Sequence, residues 1–252
     1  KGIKWFKKIL LDKYFRKEIK PLRKEPENKL IDYLGWHKQN EDYFFVGLPL
    51  LSGRLSGKKK SLIRDLVEEN DLNLRLTPNQ DILLCNIPNK NKSKIKKALK
   101  KIGYDNLNDI NEIQRHALAC PALPLCGLAM TEAERILPEV LTRIENLLTD
   151  MNIEKTILFR MTGCPNGCTR PYMAELALVG SGQNKYQLWL GGSKNLQRLA
   201  KPYLQRMELD DLEKTIQPLL EFWKKSSAEK DFGDFINNQK ESFITNLLSE
   251  IN

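Results

Sequence analysis

Four of the five cysteines fall in two pairs, and any fold for this chain has to account for them. The first pair is Cys120-Pro-Ala-Leu-Pro-Leu-Cys126, and the second is Gly163-Cys164-Pro-Asn-Gly-Cys168. Between them runs a stretch with helical period. Iron–sulfur clusters are held by four Cys thiolates, and glycines and prolines around the pairs let the backbone turn tightly about an inorganic core. Structural zinc is the other reading of the same residues. Its paired ligands usually have two to four residues between them, whereas the first pair here has five and the second three. Spacing alone favours iron–sulfur without closing the choice.

The fifth thiol, Cys85, sits in the apolar run Ile82-Leu-Leu-Cys85 and reads as a small buried hydrophobe. An odd cysteine count without an export signal argues against a disulfide framework and for a reducing compartment. The first residues, Lys1-Gly-Ile-Lys-Trp-Phe, show neither an initiator Met nor a signal-peptide pattern, so the chain reads as a processed or partial product. No apolar run approaches a membrane span. With only His37 and His116 present, mechanisms built on several histidines are nearly excluded, and His116, four residues before Cys120, reads as structural.

The net charge of +9 is uneven: residues 1–30 hold eleven Lys or Arg against four acids, and residues 90–101 hold seven Lys and no acid. Such blocks suit an acidic partner. The basic residues carry no interleaved aromatics, so nucleic-acid binding by stacking is not indicated.

Periodicity divides the chain into four parts. Residues 1–40 form a basic arm or linker, with a short helix from Asn28 to Leu34 stopped by Gly35. Residues 41–104 read as strand (43–46), helix (58–70), hairpin (73–76 and 82–85) and a Lys-rich helix striped by Ile95, Leu99 and Ile102. That order matches much of the ferredoxin-like split βαβ motif. Residues 105–236 begin with an approach helix and carry the cysteines. Thr131-Glu-Ala-Glu134 has the form of a capping box ahead of a helix that Pro138 should kink. A strand over 156–161, a hairpin over 175–190, a helix from Leu209 to Trp223 and a turn at Phe232-Gly-Asp-Phe235 follow. Residues 237–252 form an amphipathic helical tail. The fold class is α+β: a ferredoxin-like repeat unit plus an α/β domain around the cysteines.

The longer strings are specific. Ala119-Cys-Pro-Ala-Leu-Pro-Leu-Cys-Gly-Leu-Ala-Met-Thr-Glu-Ala-Glu134, Thr162-Gly-Cys-Pro-Asn-Gly-Cys-Thr-Arg170 and Arg170-Pro-Tyr-Met-Ala-Glu175 resemble the sirohaem and [4Fe–4S] site of the assimilatory sulfite and nitrite reductase family, in particular its ferredoxin-dependent sulfite reductase branch. Gly191-Gly192 and Phe232-Gly-Asp-Phe235 also fit that branch, and the resemblance covers most of residues 41–236. Nitrite reductases usually carry Ser where Gly167 stands.

The resemblance implies that Cys120, Cys126, Cys164 and Cys168 hold the cluster and that Cys168 shares its thiolate with the sirohaem iron. It places Asn166 and Arg170 beside the macrocycle. It implies a six-electron reduction of sulfite to sulfide, with reduced ferredoxin as donor, in a bacterial cytoplasm or plastid stroma. Nitrite reduction and a non-catalytic electron-relay subunit are the alternatives. Family enzymes are about twice as long and built from two related halves, the first of which supplies the cations that hold the substrate anion. None of those cations can be placed here. The chain therefore resembles the C-terminal half, with the N-terminal half of the same enzyme as its expected partner and little turnover expected alone.

Overall fold

The computed structural model describes residues 2–15, 30–107, 110–226 and 230–249. Helix α1 (Gly2–Lys13) has no buried residue. The helix expected over 28–34 does not form where it is described. Leu30–Leu34 is irregular, held in part by Asp32, which accepts the Leu34 N–H and the Arg115 guanidinium, while residues 28 and 29 lie outside the described residues.

Gly35, expected to stop a helix, instead starts a strand. Strand β1 (Gly35–Lys38) pairs antiparallel with β2 (Tyr43–Leu48); then come α2 (Gly57–Glu69), β3 (Asn73–Leu76), β4 (Ile82–Pro88) and α3 (Lys92–Lys101). The sheet order is β1-β2-β4-β3, antiparallel throughout. The β-α-β-β-α run is the split motif the sequence predicts, and β1 fills the fourth place from the N-terminal side. The close approach that seats it is visible at Gly47, where an added Cβ would lie 1.9 Å from the Tyr33 carbonyl oxygen. Ile63 and Leu66 of α2 and Ile95 and Leu99 of α3 close over Val46, Leu48, Leu84 and Ile87. Each such burial contributes about 1.5–3 kcal/mol against exposure. Cys85 is buried in β4 as a hydrophobe.

The second unit holds a five-stranded sheet. Helix α4 (Glu112–His116) leads to β5 (Leu118–Ala119), then α5 (Leu137–Asp150), β6 (Phe159–Thr162), β7 (Leu176–Gly182), β8 (Lys185–Leu190) and β9 (Lys201–Glu208), in the order β5-β6-β7-β8-β9. The β5–β6 and β6–β7 pairs are parallel and the rest antiparallel. One face is covered by α5, α6 (Leu212–Lys225), α7 (Phe232–Asn238) and α8 (Glu241–Ser249). Leu141, Ile144, Phe159, Leu178, Ile216, Trp223 and Phe232 lie at its core.

Three expectations are corrected here. The Thr131–Glu134 string does not cap α5: Thr131 donates to the Tyr186 hydroxyl, Glu134 pairs with Arg54, and the helix begins at Leu137. Pro138 thereby falls in the first turn, where the missing N–H has no helical partner to lose, and no kink results. The Phe232–Phe235 turn is the start of α7, with Phe232, Phe235 and Ile236 buried at helical spacing. Gly233 obscures that helix in the sequence, and it is there because a Cβ would meet the Gly192 carbonyl oxygen at 1.8 Å. Strand β9 escaped prediction since its edge residues do not alternate in polarity. Among the described residues no helix is long and apolar enough to cross a membrane.

Candidate metal centre

Parallel pairing of β5 and β6 puts their C-terminal ends side by side, with Ala119 in register with Met161. Cys120 leaves the first strand and Gly163-Cys164 the second, so two loops distant in sequence emerge together. The Gly163 N–H donates to Cys120 Sγ at 3.2 Å, and the Gly163 carbonyl accepts from the Met130 N–H at 2.8 Å and the Thr131 N–H at 3.3 Å. Strand β6 is thus stitched to both ends of the loop that carries Cys126. The approach is close enough to exclude a side chain at Gly163: a Cβ would lie 2.6 Å from Ala122 Cβ and 2.7 Å from the Thr131 oxygen. Gly180 of β7 is equally crowded: a Cβ there would lie 2.3 Å from the Gly163 oxygen.

The second loop is held from within. Thr162 Oγ1 donates to the Cys164 carbonyl and Thr169 Oγ1 to the Met161 carbonyl. Gly167 takes a left-handed φ of 67°, and a Cβ there would strike the Tyr172 ring. The Tyr172 hydroxyl donates to the Pro165 carbonyl at 2.5 Å, and its ring packs on Trp189. Arg170, also left-handed, sends its guanidinium to the Pro78 carbonyl at 2.8 Å, joining this loop to the β3–β4 turn. From that turn Gln80 Nε2 donates to the Ala119 carbonyl, immediately before Cys120.

Cys120 and Cys164 are buried, Cys126 is half-buried, and Cys168 and Asn166 are exposed. Burial pushes the Cys120 thiol pKa up; bonds from the Gly163 and Ala122 N–H groups pull it back, and charge on Cys168 and Cys164 raises it again. The Gly163 contact sets the loop of Cys164 and Cys168 against Cys120, with Cys126 on the loop that follows. Among the described residues no three His, Cys, Asp or Glu groups gather as ligands of a single ion. A four-iron cluster is held by thiolates on its different irons, and an all-thiolate donor set with main-chain N–H groups against sulfur and side-chain-free turns fits that group.

His116 Nδ1 is buried without a partner and burial lowers its pKa; it lies before β5, at the opposite end of that strand from Cys120. Sequence reasoning missed Tyr172 and Gly180. Their contribution depends on the parallel β5-β6-β7 order, which no local pattern announces. The exposed side chains Leu125, Leu128 and Met130 share the loop with the half-buried Cys126, so exposed apolar residues flank that thiol in the chain.

Residues 37–102 match the nitrite/sulfite reductase ferredoxin-like half domain. Over 240 residues, 93% of its length, the chain is 45% identical to the sulfite reductase (ferredoxin) of Synechococcus elongatus, and the match takes in 38% of that protein. It is 34% identical over 94% of its length to the sulfite reductase (NADPH) hemoprotein beta-component of Staphylococcus carnosus, covering 42% of it. Among solved structures it resembles the Mycobacterium tuberculosis NirA protein, with a TM-score of 0.75 at 23% identity over 96% of this chain and 47% of the other. Dissimilatory sulfite reductase I follows at a TM-score of 0.55 and 10% identity, over 82% of this chain and 69% of that one. These two likenesses speak for the fold alone. The chain spans about two fifths of the length of the sulfite reductases it matches. Residues 37–102 thus carry the nitrite/sulfite reductase ferredoxin-like half domain, and the chain as a whole is similar to a part of the sulfite reductases.

Proposed function

We propose that this chain is the cluster- and sirohaem-bearing part of a sulfite-reducing oxidoreductase, corresponding to the C-terminal half of the longer enzymes. The observation that carries the reading is the meeting of the two cysteine loops at the ends of β5 and β6, with the Gly163 N–H on Cys120 Sγ. Cys120, Cys126, Cys164 and Cys168 would hold a [4Fe–4S] cluster, with Cys168, the exposed one, shared with sirohaem iron, and Asn166 and Arg170 beside the macrocycle. Bound together, the two groups would supply one-electron transfers to a ligand on iron.

This chain's own residues shape the site. The bonded turns around Gly163 and Gly167 fix the thiols, and the exposed loop surface is left for the rest of the enzyme to cover. A sulfite anion needs cations to hold it and stabilise developing charge; in this reading the N-terminal half provides them. Ferredoxin is the proposed donor, since the 45% identical relative bears that name while others are named as NADPH-type components. The lysines of residues 90–101 would steer its acidic surface, chiefly raising the on-rate.

The test is anaerobic production of the chain together with its companion half and a sirohaem supply, followed by iron, acid-labile sulfide and absorption measurements. Wild type should carry cluster and sirohaem and reduce sulfite with reduced ferredoxin faster than with NADPH and a flavoprotein, and Cys164→Ser should lose iron and sulfide. A colourless, zinc-containing wild type would overturn the reading. Reversing three of the 90–101 lysines should slow ferredoxin-driven turnover and flatten its salt dependence; unchanged rates would remove that docking face.

A further inference from the structure

Among the described residues only two formally charged side chains, Arg160 and Glu175, are fully buried. Glu175 is satisfied by the Leu158 and Gly233 N–H groups, each at 2.9 Å. Arg160 is not matched in this way. It lies on β6 between Phe159 and Met161, which join the main core, and so points to the opposite face with Thr162. There it is 1% exposed. Its Nη1 donates to the Arg170 carbonyl at 3.2 Å, its Nε has no partner, and no carboxylate pairs with it among the described residues. Burial, and then the neighbouring charge of Arg170, pull its pKa down to about 10, so it remains a cation at neutral pH.

A buried cation without an acid is unfavourable to the fold, and an apolar replacement of similar volume is often neutral or stabilising. Its position gives it another use. The Arg170 carbonyl it holds lies two residues after Cys168, and Thr162 on the same strand face bonds the Cys164 carbonyl. Four thiolates around an iron–sulfur core make a net negative group, and net charge and hydrogen bonding nearby set its potential.

We propose that Arg160 is the built-in counter-charge of the cysteine site, a positioning residue that holds the Cys168 turn through the Arg170 carbonyl and makes the bound cluster easier to reduce. The proposal rests on the cluster reading above. It is tested with the full chain as wild type, Arg160→Met and Arg160→Lys, each reconstituted anaerobically with iron and sulfide. The readouts are urea stability of the cluster-free protein, iron and sulfide content, and the cluster midpoint potential from an EPR-monitored titration. Arg160→Met should be at least as stable as wild type without cluster, yet hold less cluster, at a more negative potential. Arg160→Lys should return the potential most of the way.

A folded Arg160→Met protein with wild-type cluster content and potential would overturn the proposal. So would collapse of its cluster-free fold, which would make the residue structural, or a Lys variant as shifted as Met, which would make shape rather than charge decisive. Wild type that takes up no cluster would instead defeat the reading of the site itself, before any variant is compared.

Discussion

Gly163→Ala and Gly127→Ala add the same methyl group to the two cysteine loops, and the structure gives them opposite outcomes. At Gly163 the methyl meets Ala122 Cβ at 2.6 Å, the Thr131 carbonyl oxygen at 2.7 Å and Ala129 Cβ at 3.2 Å. None of these is the free end of a flexible side chain. Ala122 is fixed in a left-handed turn with φ of 48°, and the Thr131 segment bonds Gly163 itself. Overpacking of this kind costs about 1–3 kcal/mol, and the rigid neighbours put Gly163 at the upper end. The loss of unfolded-state freedom returns about 0.4–1 kcal/mol, leaving a net destabilisation of about 2 kcal/mol. For a chain of this size that is roughly 4–8 °C in Tm. At Gly127 nothing lies within 4 Å of the added atom and φ is not left-handed, so the change should stay within about 0.5 kcal/mol. Urea unfolding of both cluster-free variants, followed by circular dichroism, measures the difference. Equal midpoints for the two would refute the claim that the loops meet through bare backbone at Gly163.

Other consequences are measurable in the same way. Burial raises the Glu175 carboxyl to about 6 despite its two N–H bonds. A raised carboxyl pKa means the unfolded chain ionises first, so stability should fall by about 2 kcal/mol as pH rises from about 4.5 through 6; Glu175→Gln should flatten that part of the profile. Tyr172→Phe removes only the bond to the Pro165 carbonyl and should cost about 0.5–1.5 kcal/mol in urea unfolding, with the ring still packed on Trp189. Trp223→Ala empties a fully buried site and removes the bond to the Lys230 carbonyl, with an expected loss of about 3–5 kcal/mol seen as a lowered denaturation midpoint.

What could be read before the structure was whatever has a local period or a fixed spacing. The stripe of Val140, Leu141, Ile144 and Leu148 marked α5, and Ile95 and Leu99 marked α3, since one helical face faces one core. The cysteine pairs stand out for a different reason: residue type and spacing are visible without knowledge of the fold, and β5 and β6 bring their two loops together. The start of α5 was misplaced because Thr131 and Glu134 have tertiary partners, Tyr186 and Arg54, that compete with a capping role. Strand β5 was hidden because two residues carry no period, and β9 because an edge strand need not alternate. Arg160 was hidden by its surroundings, since an Arg in the run Leu158-Phe-Arg-Met161 gives no sign of which face will take it or of what it will lack there.

The pairing of β5 with β6 also bears on how the protein comes into being. The contact between Gly163 and Cys120 spans 43 residues, with all of α5 between. During synthesis, at about 5–20 residues per second, Cys120 and Cys126 emerge seconds before Cys164 and Cys168. Until β6 docks, each pair is an isolated dithiol, able to capture a stray thiophilic metal or to oxidise. If the cysteines take up the proposed cluster, its delivery would be best timed after translation of β7, whose Gly180 packs against Gly163. An oxidant in that interval should yield chains with the Cys120–Cys126 pair blocked, in which Cys120 Sγ can no longer accept the Gly163 N–H.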